Sequence, residues 1–394
     1  MSAREGPIRV TMCVHNPYTH DTRVEKEART LSGAGFSVTV VCEAAAGLPS
    51  LEERDGIRIV RVARSRPSIP VWRFLRYGRV FERALVETRP QILHAHDSDA
   101  LGPVAAAARR LGVPFVYDAH ELWLGQGRRG RSWLYFAAMS VFFSILERRL
   151  IPQSAAQMTV SPPIARWLER RYHLQHVELV PNYPEARPVS RHELRTRIDP
   201  QSLPHGAPIV LYLGGLMEAR GLEALVRSIP WLQSGAHLVL MGRGPLGGNL
   251  RRLAAELGVD QRVHLLTPVP PGEVIDWASS ADIGVSPLMP SSLNNRYSLG
   301  NKLFQYLAAG LPVVASDFPQ VREVVVGSEA GLCVDTTDPR QIAAAIDNLL
   351  ADQDRRAVMG RNARRAVEMR YNWDVAARTL LEVYRPLGLA AAAA

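Results

Sequence analysis

At 394 residues, with 47% hydrophobic and 22% charged side chains, the chain has material for two globular domains, each with its own core. Its three cysteines, Cys13, Cys42 and Cys333, lie far apart and form no CxxC pair. That spacing excludes a disulfide scaffold or a cysteine zinc module and predicts reduced core thiols. The net charge of +9 is uneven: residues 1–185 hold 25 Lys and Arg against 18 Asp and Glu, and residues 186–394 hold 22 against 20. A basic half attracts nucleic acid, anionic lipid or an acidic substrate. No helix-turn-helix, RNA-recognition or zinc-finger pattern accompanies it, so no nucleic-acid partner is expected.

No secretory leader is expected ahead of the first apolar run, which predicts a cytoplasmic protein. Ile8–Val14 reads as a strand, His15–Asp21 as a loop, and Asp21 or Thr22 as the cap of a helix through residues 23–28. With the strand Phe36–Val41, this order opens a doubly wound sheet, whose ligands lie beyond the carboxyl ends of the strands. Gly56–Val62 predicts a strand and Val71–Thr88 a basic helix. The strand Ile92–Ala95 runs into His96-Asp97-Ser98-Asp99. Asp-Ser-Asp fits a metal-holding DxD pattern, but capping of a helix from Ala100 explains the aspartates better. His96 is either a satisfied loop histidine or an imidazole placed to donate to a ligand hydroxyl at the strand's carboxyl end. Val113–Tyr117 and Asp118-Ala119-His120-Glu121 repeat the pattern one unit later. Two strand-end histidines raise zinc, yet no third ligand stands at a recognisable spacing, and no metal is expected.

Residues 125–132 are basic and glycine-rich, with Arg128, Arg129 and Arg131, and precede the apolar run Trp133–Leu146. At ~1.5 Å per residue this run spans about 21 Å, short of a roughly 30 Å bilayer core. It is either a buried domain helix or one lying on a membrane surface. Gln157–Val160 closes the sheet, and Pro181-Asn182-Tyr183-Pro184 leads into a linker.

The second half opens with the strand Ile209–Leu213, followed by Gly214-Gly215 and, five residues after Gly215, Arg220. His237–Met241 precedes Gly242-Arg243-Gly244-Pro245-Leu246-Gly247, which as text is GxGxxG. Pro245 stands inside it and no acidic residue lies about twenty positions on, so a nicotinamide nucleotide is not expected. After the loop Asn294–Leu299, Ser298 predicts the cap of a helix starting near Gly300. Gly310 suits its left-handed end, Pro312 stops it, and Val313-Val314-Ala315 is a buried strand. A helix N-terminus offers N–H groups and partial positive charge to a phosphate. Lys302, one of two lysines with Lys26, adds a full charge there; the alternative is a solvated lysine on an ordinary amphipathic helix. A last helix follows Tyr371, and the terminal run of alanines reads as a tail outside the fold.

Asn301-Lys302-Leu303-Phe304-Gln305-Tyr306-Leu307-Ala308-Ala309-Gly310-Leu311-Pro312-Val313-Val314 resembles the nucleotide-sugar motif of GT-B glycosyltransferases, specifically family 4. The segment His20–Leu31 and Gly242-Arg243-Gly244-Pro245 are similar to further parts of that family, so the likeness runs over nearly the whole chain. It implies an α/β protein of two Rossmann-like domains facing across a cleft. Residues 1–185 would form the acceptor-side domain, with a C-terminal helix at about 372–388 crossing back, and residues 186–371 the nucleotide-sugar-binding domain. The implied reaction is retaining transfer of a sugar from a nucleoside diphosphate-sugar to an acceptor hydroxyl, with no cofactor and no metal. The family carries an arginine and a lysine on the leaving diphosphate; here Gly215 and Arg220 hold those positions. Two family glutamates, against the sugar and the ribose, are replaced by Tyr297 and Gln305.

The resemblance therefore implies Lys302, Arg220 and His96 as catalytic groups. Gly214, Gly215, Gly242, Gly244, Asn294, Asn295, Tyr297, Gly300, Asn301, Leu303 and Gln305 would surround the donor, with Asp21, His120 and Glu121 on the acceptor side. A catalytically silent nucleotide-sugar-binding protein, or a GT-B sugar-nucleotide epimerase, are the other readings. The family often acts on lipid-linked acceptors, which with the basic half implies peripheral contact with an anionic membrane.

Overall fold

A computed structural model describes residues 6–63, 70–125 and 132–393; Arg128, Arg129 and Arg131 lie outside them. The chain divides into two units, Met1–Asn182 with Ala376–Ala394, and Tyr183–Val375.

The first unit holds an eight-stranded sheet: β1 Arg9–Cys13, β2 Ser37–Glu43, β3 Leu51–Arg54, β4 Ile57–Val62, β5 Ile92–His96, β6 Phe115–Ala119, β7 Ala156–Thr159 and β8 Glu178–Leu179. Their spatial order is β3-β4-β2-β1-β5-β6-β7-β8. Every neighbouring pair is parallel except the hairpin β3–β4. Parallel strands need crossover helices that cover both faces, so their sequences run apolar without alternation. β5 follows this rule with all five residues buried, yet two of them are His94 and His96.

The second unit holds six parallel strands, β9 Ile209–Leu213, β10 His237–Met241, β11 Val263–Leu266, β12 Ile283–Ser286, β13 Val313–Ser316 and β14 Gly331–Val334, in the order β11-β10-β9-β12-β13-β14. Alternate residues of β9 point to opposite faces. Leu211 and Leu213 join a core with Leu303, Phe304, Tyr306 and Leu307 of the helix Asn301–Ala309. Val210 and Tyr212 join the other core, under the helices Leu222–Ser228, Gly247–Glu256 and Pro339–Leu350. Strand order reverses between β1 and β5 in one sheet and between β9 and β12 in the other. Those reversals open a crevice at the strands' carboxyl ends, and the loops bearing the expected site residues leave from there.

Three local expectations are corrected. Ser298 does not cap the helix Asn301–Ala309; Gly300 does, through its backbone alone, while the Ser298 hydroxyl donates back to the Asn295 carbonyl. The terminal alanines are not a tail: the last helix runs Trp373–Ala393, and the Ala391 carbonyl accepts a bond from the Gln91 amide. Asp97 and Asp99 do not precede a helix from Ala100; the helix already begins at Asp97, a residue in the left-handed region at φ 63°.

Candidate functional site

In the second unit the loop after β9 is built by glycine. Gly214 adopts φ 117°, a conformation side chains avoid, and its amide donates to the Met241 carbonyl at 3.0 Å. A Cβ at Gly242 would stand 1.9 Å from the Gly214 carbonyl oxygen, and one at Gly244 would stand 2.2 Å from that of Leu216. The GxG text is therefore a demand for close backbone approach between two loops. The pairs Leu216 N–H to Arg243 O and Leu246 N–H to Leu216 O continue this zipper.

Lys302 lies over this loop. Its Nζ sits 3.7 Å from the centre of the Tyr212 ring, a cation–π contact, while the Tyr212 hydroxyl donates to the Gly215 carbonyl. Burial pushes the Lys302 ammonium well below its usual range, and the Arg220 charge pushes the same way. Among the described residues neither Lys302 nor Arg220 pairs with a carboxylate. Two cations in mutual repulsion at a strand-end reversal form a seat for an anion.

Arg220 is held between two left-handed residues, Ala219 at φ 63° and Gly221 at φ 69°, and a Cβ at Gly221 would meet the Pro287 carbonyl at 1.9 Å. Asn295, expected against the sugar, directs its amide nitrogen at Ala219 O (3.4 Å), Met289 O (3.2 Å) and Ser291 Oγ (3.2 Å). It braces the arginine loop. Leu303, expected at the donor, is buried in the core and its amide closes the first turn onto Gly300. Asn294 is buried, whereas Tyr297 and Gln305 are half-buried and Asn301 is exposed.

Tyr306 is the residue that sequence reasoning missed. The β9–β12 ladder pairs only two residues before the strands diverge. The Tyr306 hydroxyl bridges the gap, accepting from the Leu213 amide at 2.8 Å and donating to the Val285 carbonyl at 3.2 Å. Its ring leaves no room for a Cβ at Gly284. One helical turn earlier on the same face stands Lys302, so Tyr306 sets that lysine's height over β9.

The first unit arranges its charges otherwise. Arg23, fully buried on the helix Thr22–Gly33, binds both oxygens of Asp118 at 2.7–3.0 Å and Glu27 Oε1 at 3.0 Å, and also donates to the Val180 carbonyl. Asp118 in turn accepts from His120 Nε2 at 2.8 Å. Burial opposes the Asp118 charge, but Arg23 and His120 outweigh it and hold the carboxyl well below its usual range. Burial likewise opposes the His120 charge, and Asp97 with Asp118 lifts its pKa to about 9. Glu27 is pushed up to about 8 by burial and by Asp118, against Arg23.

His96, expected against a sugar, has no exposed side-chain surface; its Nδ1 lies 3.2 Å from His120 Nε2. The strand-end histidine with an open edge is His120, 19% exposed. Asp21 is a cap, accepting from the Val24 and Asn16 side of its loop, and Glu121 is half-buried. The sequence marked Arg23 and Glu27 only as members of a helix within the family-like segment His20–Leu31, with no sign of their partners.

Residues 207–352 match the family described as glycosyl transferases group 1, and residues 21–183 match Glycosyltransferase Family 4. A D-inositol 3-phosphate glycosyltransferase of Thermobispora bispora is 29% identical over 322 residues, covering 75% of this chain and 70% of that protein. The structure of sucrose-phosphate synthase from Thermosynechococcus elongatus superposes with a TM-score of 0.82 at 20% identity, over 98% of this chain and all of that one. Anabaena HepE, in complex with UDP and glucose, superposes with a TM-score of 0.71 at 14% identity, over 96% of this chain and 100% of its own.

Proposed function

The chain belongs to the GT-B glycosyltransferases, one half of family 4 type and the other of group 1 type, and from that premise we propose that it performs retaining transfer from a nucleoside diphosphate-sugar to an acceptor hydroxyl. The observation that carries this reading is the pair Lys302 and Arg220, two cations without a carboxylate partner among the described residues, over a loop of glycines. A diphosphate supplies the missing negative charge. As the sugar–phosphate bond breaks, charge grows on the leaving oxygen, and preorganised cations stabilise that state more than the ground state. Retention follows when the leaving phosphate itself takes the acceptor proton on the face it departs from. This route needs neither a protein nucleophile nor a metal at the phosphates.

Gln305 offers the ribose neutral hydrogen bonds, so a uridine donor is favoured over a thymidine one only weakly. HepE's complex with UDP and glucose supports a hexose on uridine diphosphate as the first donor to try. His120 and Glu121 serve the acceptor side. Release of nucleoside diphosphate from a panel of UDP, dTDP, GDP and ADP sugars, with and without acceptors, tests the reading. Acceptor-dependent release with the anomeric configuration kept, read by NMR of the product, supports it. Binding without release from any donor favours the silent binder.

A membrane-surface partner rests on a second observation. The helix Trp133–Leu150 buries Met139, Phe143 and Glu147, while Trp133, Leu134, Val141 and Ile145 are each more than half exposed. Beside them Arg109 and Arg149 join Phe142, Ile145, Leu146 and Leu150 around a groove of about 400 Å³. No helix among the described residues is long and apolar enough to cross a membrane. An apolar stripe with flanking arginines instead suits a helix lying in the headgroup layer of an anionic bilayer, which is where a lipid-linked acceptor resides. Co-sedimentation with anionic but not neutral vesicles, lost on replacing Leu134, Val141 and Ile145 by Ser, is the expected result. Equal recovery with both vesicle types counts against it.

A further inference from the structure

Within the first unit, Nε2 of His94 and Nε2 of His96 are buried without a hydrogen-bond partner, and so is Glu27 Oε2, while Oε1 of that carboxylate is ion-paired with Arg23. Orphaned buried polar atoms are rare, because each forfeits its hydration without replacement. These are also close together. A ligand-competent atom from each of Glu27, His94, His96 and Asp118 lies within 4.8 Å of the others, and His94 Nε2 stands 3.9 Å from Glu27 Oε2.

The backbone explains the convergence. His94 and His96 are two apart on β5, so both rings leave the same face of the sheet, where they stack with centroids 4.1 Å apart. Glu27 reaches them from the helix Thr22–Gly33, and Asp118 from the adjacent β6. The opposite nitrogen of each imidazole is anchored. His94 Nδ1 lies 2.8 Å from the Tyr384 hydroxyl of the last helix, and His96 Nδ1 lies 3.2 Å from His120 and 3.4 Å from Asp118. One nitrogen anchored and the other left open is the arrangement of metal-binding histidines, whose outer partner fixes tautomer and ring plane. Arg23 sits on the outer side of the carboxylates, taking Glu27 Oε1 and leaving Oε2 toward the rings.

We propose that Glu27, His94 and His96, with Asp118 alongside, form a buried structural site for a divalent transition metal, zinc foremost. Two imidazoles and a carboxylate are borderline ligands of the kind zinc selects, at about 2.0–2.2 Å. Tetrahedral ligand atoms at those lengths lie about 3.3 Å apart, so the His94–Glu27 pair needs only a small inward movement. The ion would tie the first helix to β5 and, through Tyr384, to the last helix. It is remote in role from the donor phosphates, and it departs from the metal-free expectation of the sequence. With ligands this buried, the ion enters as the chain folds.

Untagged protein purified without chelator should carry about one equivalent of zinc per chain by elemental analysis. Chain unfolded with chelator and refolded with zinc should unfold at a higher temperature than chain refolded without it. Refolding with cobalt should produce the visible absorption of a tetrahedral nitrogen–oxygen site. His94→Gln and Glu27→Gln should lose the metal, and because either variant can fail to fold, the refolding of the wild type stands as the second readout. Metal-free protein whose unfolding temperature is the same with and without zinc overturns the proposal and leaves a proton shared between Glu27 and His94 in its place. Full zinc content in folded His94→Gln and Glu27→Gln overturns it as well.

Discussion

At the carboxyl end of the first sheet, Arg23, Asp118, His120 and Asp97 face one another and each positive group meets a negative one within 3.3 Å. At the corresponding end of the second sheet, Lys302 and Arg220 face each other and, among the described residues, no carboxylate. The first arrangement is closed: its charges are satisfied by the chain, and their work is to hold a helix, two strands and the β8 edge together. The second is open, and its missing counter-charge must come from outside. Corresponding placement at the strand ends thus produces architecture in one unit, where Arg23 and Asp118 are buried, and a ligand site in the other, where Lys302 and Arg220 are half-buried, and the balance of charge distinguishes them.

The largest expected effect comes from opening the closed cluster. Asp118→Asn removes the bidentate carboxylate from a buried Arg23 and a buried His120 and leaves Glu27 as the arginine's remaining counter-charge, a change that costs about 3 kcal/mol. Chemical denaturation should show the first unit unfolding well before the second. Equal unfolding of both at the wild-type midpoint would break the comparison from that side.

Slightly smaller, and opposite in character, is the removal of the open charges. Lys302→Ala and Arg220→Ala should each lower turnover by about 10²- to 10³-fold, the usual cost of losing one leaving-group donor. Their thermal stability should match or exceed that of the wild type, because a lysine whose charge is disfavoured by burial and by Arg220 does not hold the fold together. Wild-type turnover in both variants would mean that the anion seat lies elsewhere.

Gly242→Ala tests the loop beneath the cations. Its Cβ meets the Gly214 carbonyl at 1.9 Å, so the two loops must part, at about 1–3 kcal/mol. Weaker nucleotide binding, read by calorimetry, should accompany the lost stability. Stability lost without any change in affinity would show that the glycine zipper does not shape the site.

The smallest effect concerns a third cluster, at the opposite end of the second sheet. His237 and His264 stack at 5.2 Å, with their nearest nitrogens 2.9 Å apart. Burial, with the neighbouring His264, lowers His237 to about 4, and burial lowers His264 as well. Both folded-state values lie below that of the unfolded chain, so the unfolded state takes protons first as the pH falls. Stability is therefore full above pH ~6.5 and declines toward pH ~4, by on the order of 1 kcal/mol. His237→Gln should flatten that slope in pH-dependent thermal melts.

The alternation of strands and helices, the helix at Asn301, the left-handed end at Gly310 and the family itself were legible in the sequence, because each rests on local periodicity, on caps or on a contiguous motif. Where a side chain points was legible only when its partner lay nearby. Tyr306 sits inside the family-like motif and Asn295 in the loop just ahead of it, yet their roles depend on Leu213 and Ala219, far back in the chain. His96 read as a site residue because strand ends face ligands; tertiary packing then closed it under His94, His120 and Asp118. The third metal-competent ligand was invisible for the same reason, since Glu27 stands on another helix and joins β5 only through the parallel register of β1 beside it. Exposure of the helix Trp133–Leu150 was undecided because an apolar sequence fits a core and a membrane surface equally well. The sequence determined which groups exist and at what spacing, whereas only the folded sheet decided which charges meet a partner, since that depends on contacts between segments brought together across the strand order.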